Sequence, residues 1–443
     1  MRIAPRSSTV DDCGGSSTGR NQRSPIRRSY RVCRGRTAAI LASLCDDSVV
    51  QSADENLSTR RCYRGGLVLV DGEFIRADLV VDGSLISEIV MDPPPGEHAD
   101  GDIDCDGLVI APGFIDLQCN GAIGVDITSE PDRIIDIAAA LPRFGVTAFL
   151  PTVVTAPART RAAAIAAMQR VRETNTQHPI ATPLGLHFEG PMISRNHLGA
   201  HVPRFAADPG ALLDEIETWA SSGVVSLVTL APELDGALAV VEKLATAGVV
   251  VSAGHTAMSP ADFTAARSAG LTYVTHLFNA MAPFGHRSPG PIGAVLADPS
   301  VTAGVICDGI HVDPTAVEMA WRALGPHRMS LVSDASPALG APYGRFNIGG
   351  FEIIHDETGV RTVDGVLAGS ALELDRAVRN LMAYTGCSLA EALATVTTTP
   401  ADLLGLSDRG RIRVGARADL TIVDPAGHLH RTVVAGETSW NRS

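Results

Sequence analysis

The stretch Gly-Val-Val-Val-Ser-Ala-Gly-His255, starting at Gly248, leads through a helix-like segment into Leu-Thr-Tyr-Val-Thr-His276-Leu-Phe-Asn279-Ala-Met281. Each histidine closes a short β-branched apolar run, and Pro260 to Ala269 between them has helical character. The pattern is a βαβ unit with an imidazole at the carboxyl end of each strand. In a parallel α/β barrel such ends share one rim, so residues distant in sequence meet there. Alone, either histidine would more naturally cap a strand or bond a backbone carbonyl. Two at equivalent positions of consecutive strands are better read as the start of a divalent-metal site.

The same alternation extends in both directions. Between Ala111 and Arg411, strands are predicted at Phe114–Asp116, Val146–Leu150, Pro183–Phe188, Val224–Leu230, Val249–Ser252, Tyr273–Thr275, Val301–Ile306 and Ser330–Ser333. Helices are predicted at Pro157–Arg172, Gly210–Ser221, Asp235–Ala247, Pro314–Leu324 and Ser370–Thr385. Eight strands with intervening helices fit a (β/α)8, TIM-like barrel over residues 112–411. A doubly wound open sheet would carry a Gly-rich phosphate turn after its first strand, and none follows Asp116.

Short strands also occur at both ends of the chain. Gly66–Val70, Ala77–Val81 and Leu85–Val90 are divided by the hairpin signals Asp71-Gly72 and Asp82-Gly83. Asp419–Val423 and Arg431–Ala435 have the same texture. The expectation is one small β-sandwich domain built from residues 63–111 and 412–443, with the barrel inserted between. Residues 1–62 are rich in Arg and Ser and read as a disordered extension or an over-long start. An export signal around Arg27-Arg28 and Thr37–Leu44 is disfavoured, because the apolar patch is short and lacks a clear cleavage site.

The formal charge of -13 argues against general nucleic-acid binding, and no apolar run is long enough to span a bilayer. Eight cysteines with no C-x-x-C pair form neither a dense disulfide framework nor a zinc ribbon, so a reducing cytoplasm fits best.

Polar residues cluster where the strands end. The first strand runs into Asp116-Leu-Gln118-Cys119-Asn120-Gly121, and the third into His187-Phe-Glu189-Gly-Pro191. The fifth and sixth give His255 and His276, the seventh Cys307-Asp308-Gly-Ile-His311, and the eighth Asp334. Glu189, His255 and His276 make a one-carboxylate, two-imidazole set with a position left for water. A carboxylate such as Asp334 beside that set could move the proton of an attacking water. A structural Asp334 would instead bond the amides of Ala335 and Ser336. Cys119 could be a thiolate ligand, although a strand-end cysteine is more often buried and inert.

Taken together, Pro112-Gly-Phe-Ile-Asp-Leu-Gln-Cys-Asn-Gly121, His187–Pro191, Ser252–His255, Thr275-His-Leu-Phe-Asn-Ala-Met281, Asp308–His311, Leu331–Asp334 and Leu367–Gly369 resemble the N-acetylglucosamine-6-phosphate deacetylase family of amidohydrolases. The resemblance covers the chain from about Gly65 onward. It implies that Glu189, His255 and His276 hold a catalytic divalent ion and that Asp334 is the acid/base. It also implies that His201 holds and polarises the substrate carbonyl. Ala200, Asn279, Ala280, Arg287, Asp308, His311 and Leu367, Ala368 and Gly369 match substrate-binding positions. The Arg287 position in this family can reach a neighbouring subunit's site, which implies a homodimer. Many amidohydrolases carry His-x-His after the first strand and bind two metals. Here Gln118 and Asn120 stand at that place, and neutral amides are poor ligands, so one metal per subunit is expected. Zinc is the first expectation, with iron, cobalt and manganese as alternatives.

The implied reaction converts N-acetylglucosamine 6-phosphate to glucosamine 6-phosphate and acetate, in amino-sugar catabolism and cell-wall recycling. Deacetylation of the galactosamine isomer and another amidohydrolase activity are the alternatives. Dihydroorotase-like enzymes are disfavoured because no lysine closes a strand here. A non-catalytic scaffold would have lost ligands that this sequence keeps.

Overall fold

The computed structural model describes residues 60–93, 101–174 and 178–442. The predicted extension lies outside the described residues apart from its last three positions, and the first strand begins at Arg61.

Eight parallel strands form the barrel: Phe114–Cys119, Val146–Val154, Leu186–Glu189, Val225–Leu230, Val250–Ala253, Leu271–Val274, Thr302–Val305 and Met329–Leu331. Each pairs in parallel with its neighbour, from the first strand through to the eighth. The ring nearly closes where Cys119 bridges Ala335 and the Asn120 amide donates to Ala335 O over 2.7 Å. Strands buried on both faces need apolar residues at nearly every position, which is why they read as continuous runs. The second is buried along all nine residues.

The helix predicted between the two histidine-bearing strands runs from Pro260 to Ser268. Ser259 caps it: its hydroxyl accepts from the Asp262 amide, and the Asp262 carboxylate accepts from Ser259 N. Pro260 fits the first turn, where no amide donor is needed. Gly254 lets the preceding strand pass its neighbours, since a Cβ there would stand 2.6 Å from Thr229 Cγ2.

Several elements differ from expectation. The helix predicted from Ser370 starts at Leu374, because Ser370 is held in a bridge with Ala335. A further helix spans Gly290–Ala297. Between the eighth strand and the Leu374 helix stands an antiparallel sheet of Gly344–Ile348, Phe351–Asp356 and Gly359–Thr362, which the barrel pattern alone does not announce.

The second sheet system draws on both ends of the chain. Val109–Pro112 pairs in parallel with Leu67–Val70 on one side and antiparallel with Leu420–Val423 on the other. The ten-residue strand Glu73–Asp82 joins two parts of this sheet, pairing with Leu67–Val70 through its first half and with Arg61–Arg64 through its second. Tyr63, Leu79, Ile110, Leu420 and Val433 share one apolar core, separate from that of the barrel.

Candidate metal centre and active site

Glu189 ends the third barrel strand with its carboxylate buried at the rim. Its Oε1 lies 2.8 Å from His276 Nε2 and 3.1 Å from His255 Nε2, and the two nitrogens are 3.2 Å apart. His255 Nδ1 stands 3.0 Å from the His197 carbonyl, which can only accept, so Nδ1 carries the proton and Nε2 offers its electron pair. Burial holds the His255 imidazole down to about 4. A neutral imidazole aiming an electron pair at a carboxylate oxygen is repulsive unless a cation lies between them. The donor set of one carboxylate and two imidazoles therefore fits a divalent ion, with His255 oriented by a backbone carbonyl as metal-ligating histidines commonly are. Burial would raise the Glu189 carboxyl, but His201, His255 and His276 outweigh it and hold the group well below the carboxylate range.

His201 adds a third ring. Its Nε2 is 3.7 Å from Glu189 Oε2, and its centroid is 4.4 Å from that of His255. Thr155 seats it: the hydroxyl donates to Glu189 O over 3.2 Å and lies 2.7 Å from His201 Nδ1. Gly190 makes room for this hydroxyl, since a Cβ there would stand 2.3 Å from Thr155 Oγ1. Among the described residues, Glu189, His201 and His255 form the group whose ligand atoms all lie within 4.8 Å of one another. His276 is outside that mutual group, but its Nε2 approaches Glu189 Oε1 and His255 Nε2 to 2.8 and 3.2 Å.

Asp334 follows the eighth strand and is reached through the first. Its Oδ1 accepts from Asn120 Nδ2 over 2.7 Å and from Gln118 Nε2 over 3.0 Å. Gln118 Nε2 also donates to Glu189 Oε1 over 3.1 Å. Gln118 thus donates to both carboxylates, and Asn120 to Asp334 alone. Burial, then the Glu189 charge, push Asp334 up to about 6. The alternative in which Asp334 bonds the next two amides does not occur: Ala335 N goes to Ser333 Oγ and Ser336 N to Ser370 O. Cys119 is fully buried, its thiol pushed well above the usual 9.0 by burial, and its Sγ faces the Gly121 carbonyl at 3.6 Å, apart from the Glu189, His201 and His255 group.

His255, His276 and Asp334 all adopt positive φ, at 51°, 29° and 47°. For residues with a Cβ this left-handed region is sparsely populated and costs about 1–3 kcal/mol each, a form of strain that gathers at functional sites. The chain reverses at each of these residues as its strand ends.

A cavity of about 310 Å³ opens over the centre. Ala200, His201, Asn279, Ala280 and His311 line it, as does Leu367–Gly369. Two expected substrate contacts stand elsewhere. Asp308 does not line the cavity but holds His311, with Oδ2 2.7 Å from His311 Nδ1. Burial would raise the Asp308 carboxyl, but His311 and the loop amides hold it below its usual value. Arg287 is exposed at the tip of a turn closed by paired Gly285 and Ser288 hydrogen bonds, outside the cavity of its own chain. Six lining residues were missed from sequence: Val154, Gly199 and Val366, and Ile348, Phe351 and Arg361 from the antiparallel sheet. The Gly349-Gly350 pair between apolar runs was the hairpin signal that could have revealed it.

The model of the amidohydrolase family matches residues 109–439. N-acetylglucosamine-6-phosphate deacetylase of Bos taurus is 38% identical over 400 residues, covering 84% of this chain and 94% of its own. N-acetylgalactosamine-6-phosphate deacetylase of Escherichia coli O157:H7 is 35% identical over 336 residues, covering 75% and 88%. Among solved structures, a variant of N-acetyl-D-glucosamine-6-phosphate deacetylase from Mycobacterium smegmatis, in complex with N-acetyl-D-glucosamine-6-phosphate, superposes with a TM-score of 0.77 at 32% identity. It covers 86% of this chain and 99% of its own.

Proposed function

The chain belongs to the amidohydrolase family, among its N-acetylglucosamine-6-phosphate deacetylases, and on that premise we propose that it hydrolyses the N-acetyl group of N-acetylglucosamine 6-phosphate, releasing acetate and glucosamine 6-phosphate. The observation that carries this reading is the single Gln118 amide that joins Glu189, at the centre of the histidine cluster, to Asp334.

Glu189, His255 and His276 would hold one divalent ion, zinc being the best match to a mixed nitrogen and oxygen set. When bound, such an ion supplies Lewis acidity to the acetyl carbonyl and acidifies water. The remaining steps belong to the protein. His201 faces the same space and would hold the acyl oxygen in place. Asp334 takes the proton of the attacking water and returns it to the departing amine, a role suited to a carboxyl whose pKa is raised toward neutrality. Asn120 and Gln118 fix its Oδ1, leaving Oδ2 for that proton. The amide protons of Gln118 and Asn120 occupy the space beside Asp334, which supports one ion per subunit. Asn279, Ala280 and His311 would position the sugar phosphate. Arg287, standing outside its own cavity, would serve a neighbouring subunit's site in a homodimer. Residues 63–111 and 412–443 would form the small domain around a 112–411 barrel, and the enzyme would work in the cytoplasm.

Acetate release from N-acetylglucosamine 6-phosphate and N-acetylgalactosamine 6-phosphate, with metal analysis of the same sample, tests the reading. Faster turnover of the glucosamine substrate by protein holding one ion per subunit is expected. Failure to release acetate from either sugar would refute it.

A further inference from the structure

We propose that Arg361, a residue in none of the motifs that define the site, anchors the substrate's phosphate from within the same chain. The inference rests on the reading above that the substrate is a phosphorylated amino sugar.

The lining of the substrate cavity contains two carboxylates, Glu189 and Asp334, and a single Arg or Lys, which is Arg361. In a chain of formal charge -13, the ion that Glu189 would hold serves the acetyl end of the substrate, and the phosphate at the other end needs a fixed cation of its own. A guanidinium is the side chain best matched to this, because its planar fork can give two parallel hydrogen bonds to phosphate oxygens.

Arg361 is also uncommitted. Many arginines here are tied to a carboxylate, as Arg379 is to Asp375 and Arg161 to Glu215. Arg361 forms no ion pair among the described residues. Its side chain makes one hydrogen bond, from an Nη to Gly365 O over 3.2 Å. Its charge is felt by exposed Asp356, whose carboxyl it helps to lower after the hydrogen bonds from Thr358, but the two do not pair.

The backbone places Arg361 firmly. It pairs with Ile354 across the antiparallel sheet and bridges Leu367 on its other side, at the start of the Leu367–Gly369 segment that lines the cavity. Arg287, exposed at its turn tip, is not part of this chain's own cavity lining. Arg361 therefore makes each subunit's anion recognition partly independent of its neighbour.

The test compares the metal-loaded wild type with Arg361→Met, Arg361→Lys and Arg287→Met, on N-acetylglucosamine 6-phosphate and on unphosphorylated N-acetylglucosamine. Arg361→Met should raise KM for the phosphorylated sugar about 10- to 100-fold, the range set by a charge-assisted hydrogen bond. Competitive inhibition by inorganic phosphate should weaken by a similar factor. Turnover of the unphosphorylated sugar should change less than about twofold, which also shows that the variant is folded, and Arg361→Lys should recover part of the loss. An unchanged KM in Arg361→Met, or an equal loss on both sugars, overturns the proposal. A wild type that deacetylates neither sugar refutes the underlying activity instead, so the two failures are distinct.

Discussion

Asn120 Nδ2 donates to Asp334 Oδ1 over 2.7 Å, from a position at which many amidohydrolases carry a histidine. The amide does by hydrogen bonding part of what a second cation would do by charge: it holds a carboxylate in one orientation beside another carboxylate. Replacing Asn120 with Ala should lower kcat on the order of 10- to 100-fold, as expected when a hydrogen bond to a charged group is lost. Metal content should remain near that of the wild type, because Asn120 does not touch Glu189, His255 or His276 in the hydrogen-bond network. Steady-state kinetics with metal analysis checks this, and an equal loss of metal and activity would contradict it.

Asp334→Asn preserves size and most packing but removes the proposed proton carrier. Turnover should fall by roughly 100- to 10,000-fold, the range for a lost general acid/base. Bound metal and melting temperature should stay close to the wild-type values. Near-normal rates in this variant would end the assignment of Asp334.

His276 lies 2.8 Å from Glu189 Oε1 at the heart of the cluster. His276→Ala should lose most bound metal after dialysis, and treatment of the wild type with a chelator should abolish turnover until a divalent ion is restored. Because an ion held only by the folded chain stabilises it by about 2.7 kcal/mol at a hundredfold excess over Kd, adding zinc should raise the melting temperature of the wild type and leave that of the variant nearly unchanged. Differential scanning calorimetry distinguishes these outcomes.

Asp116, which accepts from the Gln118 amide behind the cluster, gives a pH signature of its own. It is buried on the first barrel strand, accepts from the Ser333 hydroxyl and amide, and is pushed by burial from its usual 3.8 up to about 6. A carboxyl with a raised folded-state pKa favours the folded state while protonated. That contribution is complete below the unfolded value and is lost as pH rises through about 6. The melting temperature of Asp116→Asn relative to wild type should therefore climb between about pH 4 and pH 6 and level off above. A difference that stays flat across this window would show that Asp116 does not titrate there.

The sequence disclosed the barrel because strands buried on both faces must be apolar along their whole length, and it disclosed Glu189, His255, His276 and Asp334 because each interrupts such a run at its carboxyl end. It could not disclose that three of these four turn through positive φ, since a histidine or aspartate carries no mark of its dihedral angles. Thr155 was equally silent: a threonine just past a long β-branched strand looks like more strand, and only the three-dimensional neighbourhood shows its hydroxyl between Glu189 O and His201. Arg361 was hidden for another reason. The regular alternation of strand and helix suggested a plain connection after Asp334, where the chain instead builds a separate sheet over the cavity. Motif resemblance gave Arg287 to a neighbouring subunit's site, and its side chain stands outside the cavity of its own chain.

The pairing of Val109–Pro112 with Leu420–Val423 has a consequence for biosynthesis. Thr421 Oγ1 donates to Pro112 O, 309 positions away, and Gly113 N donates to Asp419 O, at the point where the strand that carries Gln118 and leads to Asn120 begins. A nascent chain still attached to the ribosome lacks this brace until translation is almost finished, and a premature stop shortly before Asp419 never acquires it. Such a product would hold every catalytic side chain yet leave the root of its first barrel strand with an open edge, a ready target for proteases and for unwanted strand pairing.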